Sequence, residues 1–179
     1  MIILTTGPMF SGKTETLIKT AIDLENAGAK YIAIKPTIDT RQAGNIIKSR
    51  ASNRSIKAVS IDPFQADQDI ISLIQAQKFL NIFIDEIQFF DKFSLLATIT
   101  YLSIFKDMNI YLYGLNFDYK NKIYDINNYL IGIIDLKIDL KSECYLCGCA
   151  AEYTKRLIRS DKEIIIDDNI YVAACQEHK

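Results

Sequence analysis

The chain has 179 residues, with 21 basic side chains against 22 acidic ones and a single histidine. Apolar residues make up 49% of it and its pI is about 5.9, which excludes wholesale disorder, collagen-like repetition and any general attraction to polyanions. A chain of this length buries roughly 70% of the surface it exposes when unfolded, enough for one ordinary domain with a small appended module.

Residues 2–6 form a short apolar run ending in Gly7, and residues 11–27 carry helical apolar spacing, with Leu17, Ala21 and Leu24 on one stripe. Gly28 stands where a helix C-cap glycine is expected. Residues 31–34 read as a buried strand, 36–55 as a long polar loop, 56–61 as a strand and 66–77 as a helix. The apolar strand 80–84 runs directly into Asp85 and Glu86. Helical periodicity returns over 94–106, a strand follows at 110–113, and a loop from Gly114 leads to an expected helix near 129–133. This alternation predicts a parallel sheet covered by helices on both faces.

From about Leu140 the helical periodicity fades, all four cysteines appear, and short β-like runs at 163–166 and 170–173 take over. Residues 1–140 are therefore expected to form the α/β domain and 141–179 a second, smaller module. The opening MIILTT lacks the cationic start and long apolar stretch of a signal peptide, and no apolar run approaches the roughly 20 residues a bilayer requires. A cytoplasmic protein with no membrane partner is expected. The charge balance and the lack of a basic stripe predict no nucleic-acid partner.

Gly7-Pro8-Met9-Phe10-Ser11-Gly12-Lys13-Thr14 places two glycines five apart before Lys and Thr, after a predicted strand and at the start of a predicted helix. In that setting backbone N–H groups and the positive helix end face an anionic phosphate. Lys13 reaches the β and γ phosphates of a nucleotide such as ATP, and the Thr14 hydroxyl helps hold Mg²⁺. Asp85, at the end of a buried strand, is the candidate second anchor for that metal, and Glu86 the candidate general base. Phe89 and Phe90 add aromatic surface nearby, which suits either base stacking or core packing.

Cys144 and Cys147 share a two-residue spacer, as do Cys175 and His178, so the chain's sole histidine completes a Cys₃His set. Tetrahedral Zn²⁺ favours these ligands, and a closed set of four predicts a structural ion in a module too small to build its own core. Cys149 is either a bystander or a competitor of Cys147 for the ion.

With these residues in place, the sequence resembles the thymidine kinase family of the zinc-containing cellular and bacterial type (type II) over nearly its whole length. The blocks that carry the resemblance are GPMFSGKT at Gly7, DTR at Asp39, DEIQFF at Asp85, YGLNFDY at Tyr113, CYLC at Cys144, AEYTKRL at Ala151, and Tyr171 ahead of Cys175. The resemblance implies a P-loop, RecA-like α/β sheet with flanking helices and a small zinc-binding lasso domain. It implies transfer of the γ-phosphoryl of ATP to the 5′-hydroxyl of thymidine, with deoxyuridine as secondary substrate, in nucleoside salvage for DNA synthesis. Gly7 to Thr14, Asp85 and Gln88 are then the ATP and Mg²⁺ residues, and Glu86 the base. Met9, Arg41, Phe89, Leu115, Tyr119, Thr154, Arg156 and Tyr171 match the nucleoside-side positions. Thymidine triphosphate as a feedback ligand and a homotetramer are also implied.

The chain departs from the family pattern in places. Ile165-Ile166-Asp167-Asp168 stands where the lasso usually has a glycine pair, and Lys48-Ser49-Arg50 where a His-Asp pair is usual. Ile87 replaces a smaller residue and Tyr119 a Phe. Two other readings of the residues are a nucleic-acid-dependent P-loop ATPase with a zinc knuckle and a nucleotide sensor without turnover.

Overall fold

The computed structural model describes residues 1–41, 44–77, 79–162 and 165–179. In chain order the first half runs β1 (Ile2–Gly7), α1 (Lys13–Asn26), β2 (Tyr31–Pro36), β3 (Ile46–Lys48), β4 (Ser55–Lys57), β5 (Val59–Ile61), α2 (Ala66–Gln77) and β6 (Asn81–Ile84). A short 3-10 turn (Ile87–Phe89) leads to α3 (Lys92–Ser103), β7 (Asn109–Leu115), α4 (Asp125–Leu130) and β8 (Leu136–Asp139). The last part comprises β9 (Ser142–Glu143), β10 (Ala150–Ala151), β11 (Tyr153–Arg156), a 3-10 turn (Asp168–Ile170) and β12 (Tyr171–Ala174).

Among the described residues a six-stranded sheet has the order β5-β2-β6-β7-β1-β8, with every neighbouring pair parallel. Strand alternation sorts side chains between two cores. Ile2, Leu4, Ile82, Ile84, Ile110 and Leu112 face one core with residues of α2, α3 and α4. Ala33, Phe83 and Tyr113 face the other with Leu17, Ile18 and Ala21 of α1 and Ile47 and Ile56 of the β3–β4 hairpin. Phe83 stacks on Tyr111 at 4.6 Å and meets Tyr31 edge-on at 5.6 Å. Because β1 and β6 are parallel, the phosphate loop after β1 and the acidic pair after β6 emerge at the same edge of the sheet, where ligands of open α/β sheets bind.

Helix ends follow local chemistry. Gly28 adopts φ 75 and closes α1 with two bonds of a Schellman motif, Gly28 N–H to Glu25 O and Ala29 N–H to Leu24 O, each 2.9 Å. α3 begins at Lys92 rather than at Ser94, because the Asp91 carboxylate accepts from the N–H groups of Phe93 and Ser94 and starts the helix earlier.

Three expectations from periodicity need correction. The polar stretch 36–55 is not loop throughout: it contains β3 and the start of β4, short strands that bury Ile47 and Ile56 against α1. The single strand expected at 56–61 is two, divided at Ala58, whose N–H turns to Asn45 O. The helix near 129–133 lies earlier, at Asp125–Leu130, where Ile126 and Leu130 reach the core. The β-like run at 163–166 falls partly on residues 163 and 164, outside the described residues. The run at 170–173 corresponds to β12, one position later.

Past β8 the described chain forms two antiparallel pairs, β9 with β10 and β11 with β12. Their core is small: Cys144, Ala151, Ala173 and Cys175. Among the described residues no helix is long and apolar enough to cross a membrane.

Candidate active site

The phosphate loop is shaped by backbone angles that few residues adopt. Gly12 sits at φ 82 immediately before α1, in the left-handed region that glycine occupies without a Cβ penalty. Phe10 is also left-handed, at φ 66, with its ring turned outward. Lys13 is buried and its ammonium donates to Pro8 O at 2.6 Å and Gly7 O at 3.1 Å. Burial draws that ammonium down to about 8, against the pull of the Glu86 and Asp85 carboxylates. A buried cation beside backbone N–H groups at a helix start is an arrangement that suits an anionic ligand.

Both carboxylates of the acidic pair are buried. Burial, followed by the neighbouring Glu86 charge, pushes the Asp85 carboxyl up to about 7. Burial also opposes ionisation of Glu86, but Arg41 and Lys13, with hydrogen bonds from Arg41 and Gln88, outweigh it and hold that carboxyl below the usual glutamate range. The two acids thus have opposite tendencies: burial and the neighbouring charge favour the protonated form of Asp85, while Glu86 is held ionised. Glu86 itself lies at φ 52, a left-handed backbone uncommon for a non-glycine residue and more frequent at functional sites.

Arg41 supplies the counter-charge. Its Nε and Nη2 donate to the two carboxylate oxygens of Asp39 at 2.6 and 2.9 Å, and Nη2 also donates to Glu86. Gln88 holds the other Glu86 oxygen through Nε2 and accepts from the Leu115 N–H at 3.0 Å. Both polar ends of Gln88 are therefore committed to protein groups, although it borders the same cavity as the phosphate loop.

That cavity measures about 410 Å³, within the range of small-molecule sites. Residues 9–14 of the loop, Asp85, Glu86, Gln88, Arg41, Phe89, Leu115, Tyr119, Thr154, Arg156 and Tyr171 all line it, while Gly7 and Pro8 stand behind. Phe90, by contrast, packs in the core. Thr154 of β11 accepts the Met9 N–H at 2.9 Å through its hydroxyl, joining that strand to the phosphate loop. Arg156 is no solvated surface cation. Its guanidinium lies 3.5 Å from the centroid of the Tyr119 ring and 5.5 Å from that of Tyr171, and Nη1 donates to Lys162 O at 2.7 Å.

Cys144, Cys147, Cys175 and His178 converge so that all four donor atoms lie within 4.8 Å of one another. Cys147 Sγ and Cys175 Sγ are 3.8 Å apart, the edge of a tetrahedron whose metal–sulfur bonds are about 2.3 Å. His178 Nδ1 lies 3.4 Å from Cys144 Sγ and 3.3 Å from Cys175 Sγ. The donor set and its spacing suit a tetrahedral zinc ion with no open position. Cys149 is exposed and is not one of the four.

Several cavity residues were not singled out as site residues in the sequence: Asp39, Arg50, Phe117, Tyr124 and Asp168. Asp39 lies in the same short block as Arg41 and was open to detection there. Asp168 and Arg50 were visible only as departures from a pattern.

A family model for thymidine kinase matches residues 1–179. The thymidine kinase of Mycoplasma mobile is 32% identical over 173 residues, covering 96% of this chain and 83% of that protein. That of Mesomycoplasma hyopneumoniae is 34% identical over 176 residues, covering 96% and 90%. A match along the whole chain, with a phosphate loop and an acidic pair in one cavity, leaves no support for a nucleic-acid-dependent ATPase, and the chain belongs to the thymidine kinase family.

Proposed function

We propose that this chain transfers the γ-phosphoryl group of ATP to the 5′-hydroxyl of thymidine, with deoxyuridine as a weaker substrate. The observation that carries the residue roles is the single cavity in which the phosphate loop, the Asp85–Glu86 pair and an aromatic wall meet. Phosphoryl transfer depends mostly on positioning and charge stabilisation. Lys13 exchanges its loop carbonyls for phosphate oxygens. Glu86, ionised and fixed by Arg41 and Gln88, accepts the proton of the attacking hydroxyl. Phe89, Leu115, Tyr119, Thr154 and Tyr171 border the space left for the pyrimidine. Thr14 and Asp85 would hold Mg²⁺, which neutralises charge on the transferring phosphates when bound. The Cys₃His cluster would hold one structural zinc.

The same arrangement of a nucleoside pocket beside a phosphate loop supports thymidine triphosphate as a feedback ligand. Resemblance to the family supports a homotetramer in the cytoplasm, which sedimentation and cell fractionation would test.

A coupled assay with Mg·ATP across the four deoxynucleosides tests the activity. Thymidine should be phosphorylated well ahead of deoxycytidine and the purine nucleosides, and preference for any of those would overturn the reading. Glu86→Gln should lower kcat by about 100-fold or more while ATP binding persists. Full turnover in that variant would remove Glu86 from the base role. ATP hydrolysis that needs single-stranded DNA, without nucleoside phosphorylation, would restore the ATPase alternative.

A further inference from the structure

Two segments far apart in the chain touch each other. Asp168 lies in residues 165–170, ahead of β12, and Arg50 in the turn between β3 and β4. Arg50 Nη2 donates to Asp168 Oδ2 across 118 positions of sequence. The other Asp168 oxygen faces Arg41 Nη1 at 3.5 Å. Since Arg41 also binds Glu86, charges alternate in sign from Glu86 through Arg41 and Asp168 to Arg50. The Arg50 guanidinium then stands 5.7 Å from the centroid of the Phe10 ring, on the phosphate loop.

We propose that Asp168 is a positioning residue, a latch that uses Arg50 and Arg41 to fasten residues 165–170 to the β3–β4 hairpin and to the acidic pair. The proposal rests on the kinase reading of this cavity. Asp168 is set by its own turn, in which the Asp167 carboxylate accepts the Asn169 N–H at 3.0 Å. The turn runs straight into Tyr171, whose hydroxyl donates to Ile165 O at 3.0 Å and accepts from Arg156 Nε at 3.2 Å. Holding Asp168 therefore holds an aromatic wall of the nucleoside pocket. Asp168 acts through the arginines and needs no contact with the substrate.

The latch predicts that Arg50→Ala raises the KM for thymidine while kcat changes by less than about twofold, and that Asp168→Asn, which also releases Arg41 beside Glu86, raises KM by a larger factor than it lowers kcat. Asp168 and Arg41 are mostly buried and Arg50 is half exposed, so each loss should cost about three- to tenfold in KM. Each variant should also speed tryptic cleavage at Arg159, which is exposed a few residues ahead of the fastened segment, by a similar factor. The two changes should not add: the double variant should match Asp168→Asn, which already loses the Arg50 pair together with the Arg41 pair. Asp168→Glu should recover most of the wild-type behaviour, since it keeps the charge that faces both arginines. Additive effects, or unaltered KM and cleavage in Asp168→Asn, would overturn the latch. Should the wild-type chain phosphorylate no nucleoside, the kinase reading fails, and the cleavage comparison alone decides the latch: faster cleavage in both single variants supports it and equal cleavage overturns it.

Discussion

Arg41 and Glu86 are 45 positions apart in the chain and are ion-paired in the fold, with the guanidinium Nη2 donating to Glu86 Oε1. Glu86 is buried where a lone carboxyl would resist ionisation, and this contact, with Lys13 and Gln88, holds it ionised as the proposed base role requires. Arg41→Ala should let the Glu86 pKa rise. A base with a raised pKa is protonated over a wider acidic range, so activity should fall on acidification where the wild-type chain still holds its plateau. The acid limb of the kcat/KM profile should move up by about one pH unit or more, as measured by rates from about pH 5 to about pH 9. An unmoved limb would show that the titrating base is another group.

Asp85 carries the opposite prediction. Its folded pKa, about 7, lies above the ordinary aspartate value, so in the metal-free protein ionisation of this side chain costs stability. That cost is absent below about pH 4 and complete above about pH 7. Asp85→Asn should therefore raise the melting temperature of the metal-free protein at pH 8 and leave it unchanged at pH 4, each kcal/mol counting for about 2–4 °C in a chain of this size. Mg²⁺-dependent phosphorylation should fall in the same variant. Calorimetry at both pH values with a magnesium titration checks the pair of effects, and a variant no more stable at pH 8 would contradict the burial penalty.

Removing zinc should cost nucleoside binding before nucleotide binding. The four donors surround a core of only Cys144, Ala151, Ala173 and Cys175, too few apolar groups to hold two short strand pairs. Thr154, which accepts the Met9 N–H, and Tyr171 both stand on that layer. The phosphate loop stands on β1 and α1, within the main sheet. Elemental analysis should find about one zinc per chain. After chelation, or in Cys147→Ser, thymidine affinity should drop by about tenfold or more while an ATP analogue still binds. Equal loss of both ligands would contradict this division.

Gly114 is a steric requirement of the acidic pair's support. A Cβ there would sit 2.5 Å from Ile87 Cγ1 and 2.8 Å from Gln88 Oε1, and Ile87 is fully buried with nowhere to retreat. Gly114→Ala should displace the turn that follows Glu86, cost about 1–3 kcal/mol of stability, and reduce kcat more than it raises the KM for ATP. Denaturant unfolding and steady-state rates measure the two effects; a variant with wild-type kcat would show that the turn can shift without moving Glu86.

Local chemistry wrote much of this structure into the chain. The phosphate loop is legible because glycines and a lysine at fixed spacing serve one backbone geometry, and the Cys₃His set because two short spacers present paired donors to one ion. Strands β1, β2, β6 and β7 are buried and therefore read as apolar runs. β8 alternates apolar and polar residues, Leu136-Lys137-Ile138-Asp139, but over only four positions, all exposed at the sheet's edge, which is too short a pattern to mark a strand by itself. β3 lies within the expected loop because it buries a single isoleucine, Ile47, amid polar neighbours, and β4 merges with β5 in the pattern because both strands carry isoleucines across one interruption at Ala58.

The sequence by itself thus determined the chemistry at hand: an anion cradle, two adjacent carboxylates, a metal-binding donor set and the alternation that makes a parallel sheet. Only the tertiary structure decided how the charges are shared. It gave Glu86 rather than Asp85 the arginine, joined Arg156 to two tyrosines, and brought Asp168 to Arg50. The physical reason is range. Periodicity and motif spacing record interactions between residues a few positions apart, whereas an ion pair across 45 or 118 positions exists only after the sheet has ordered its strands.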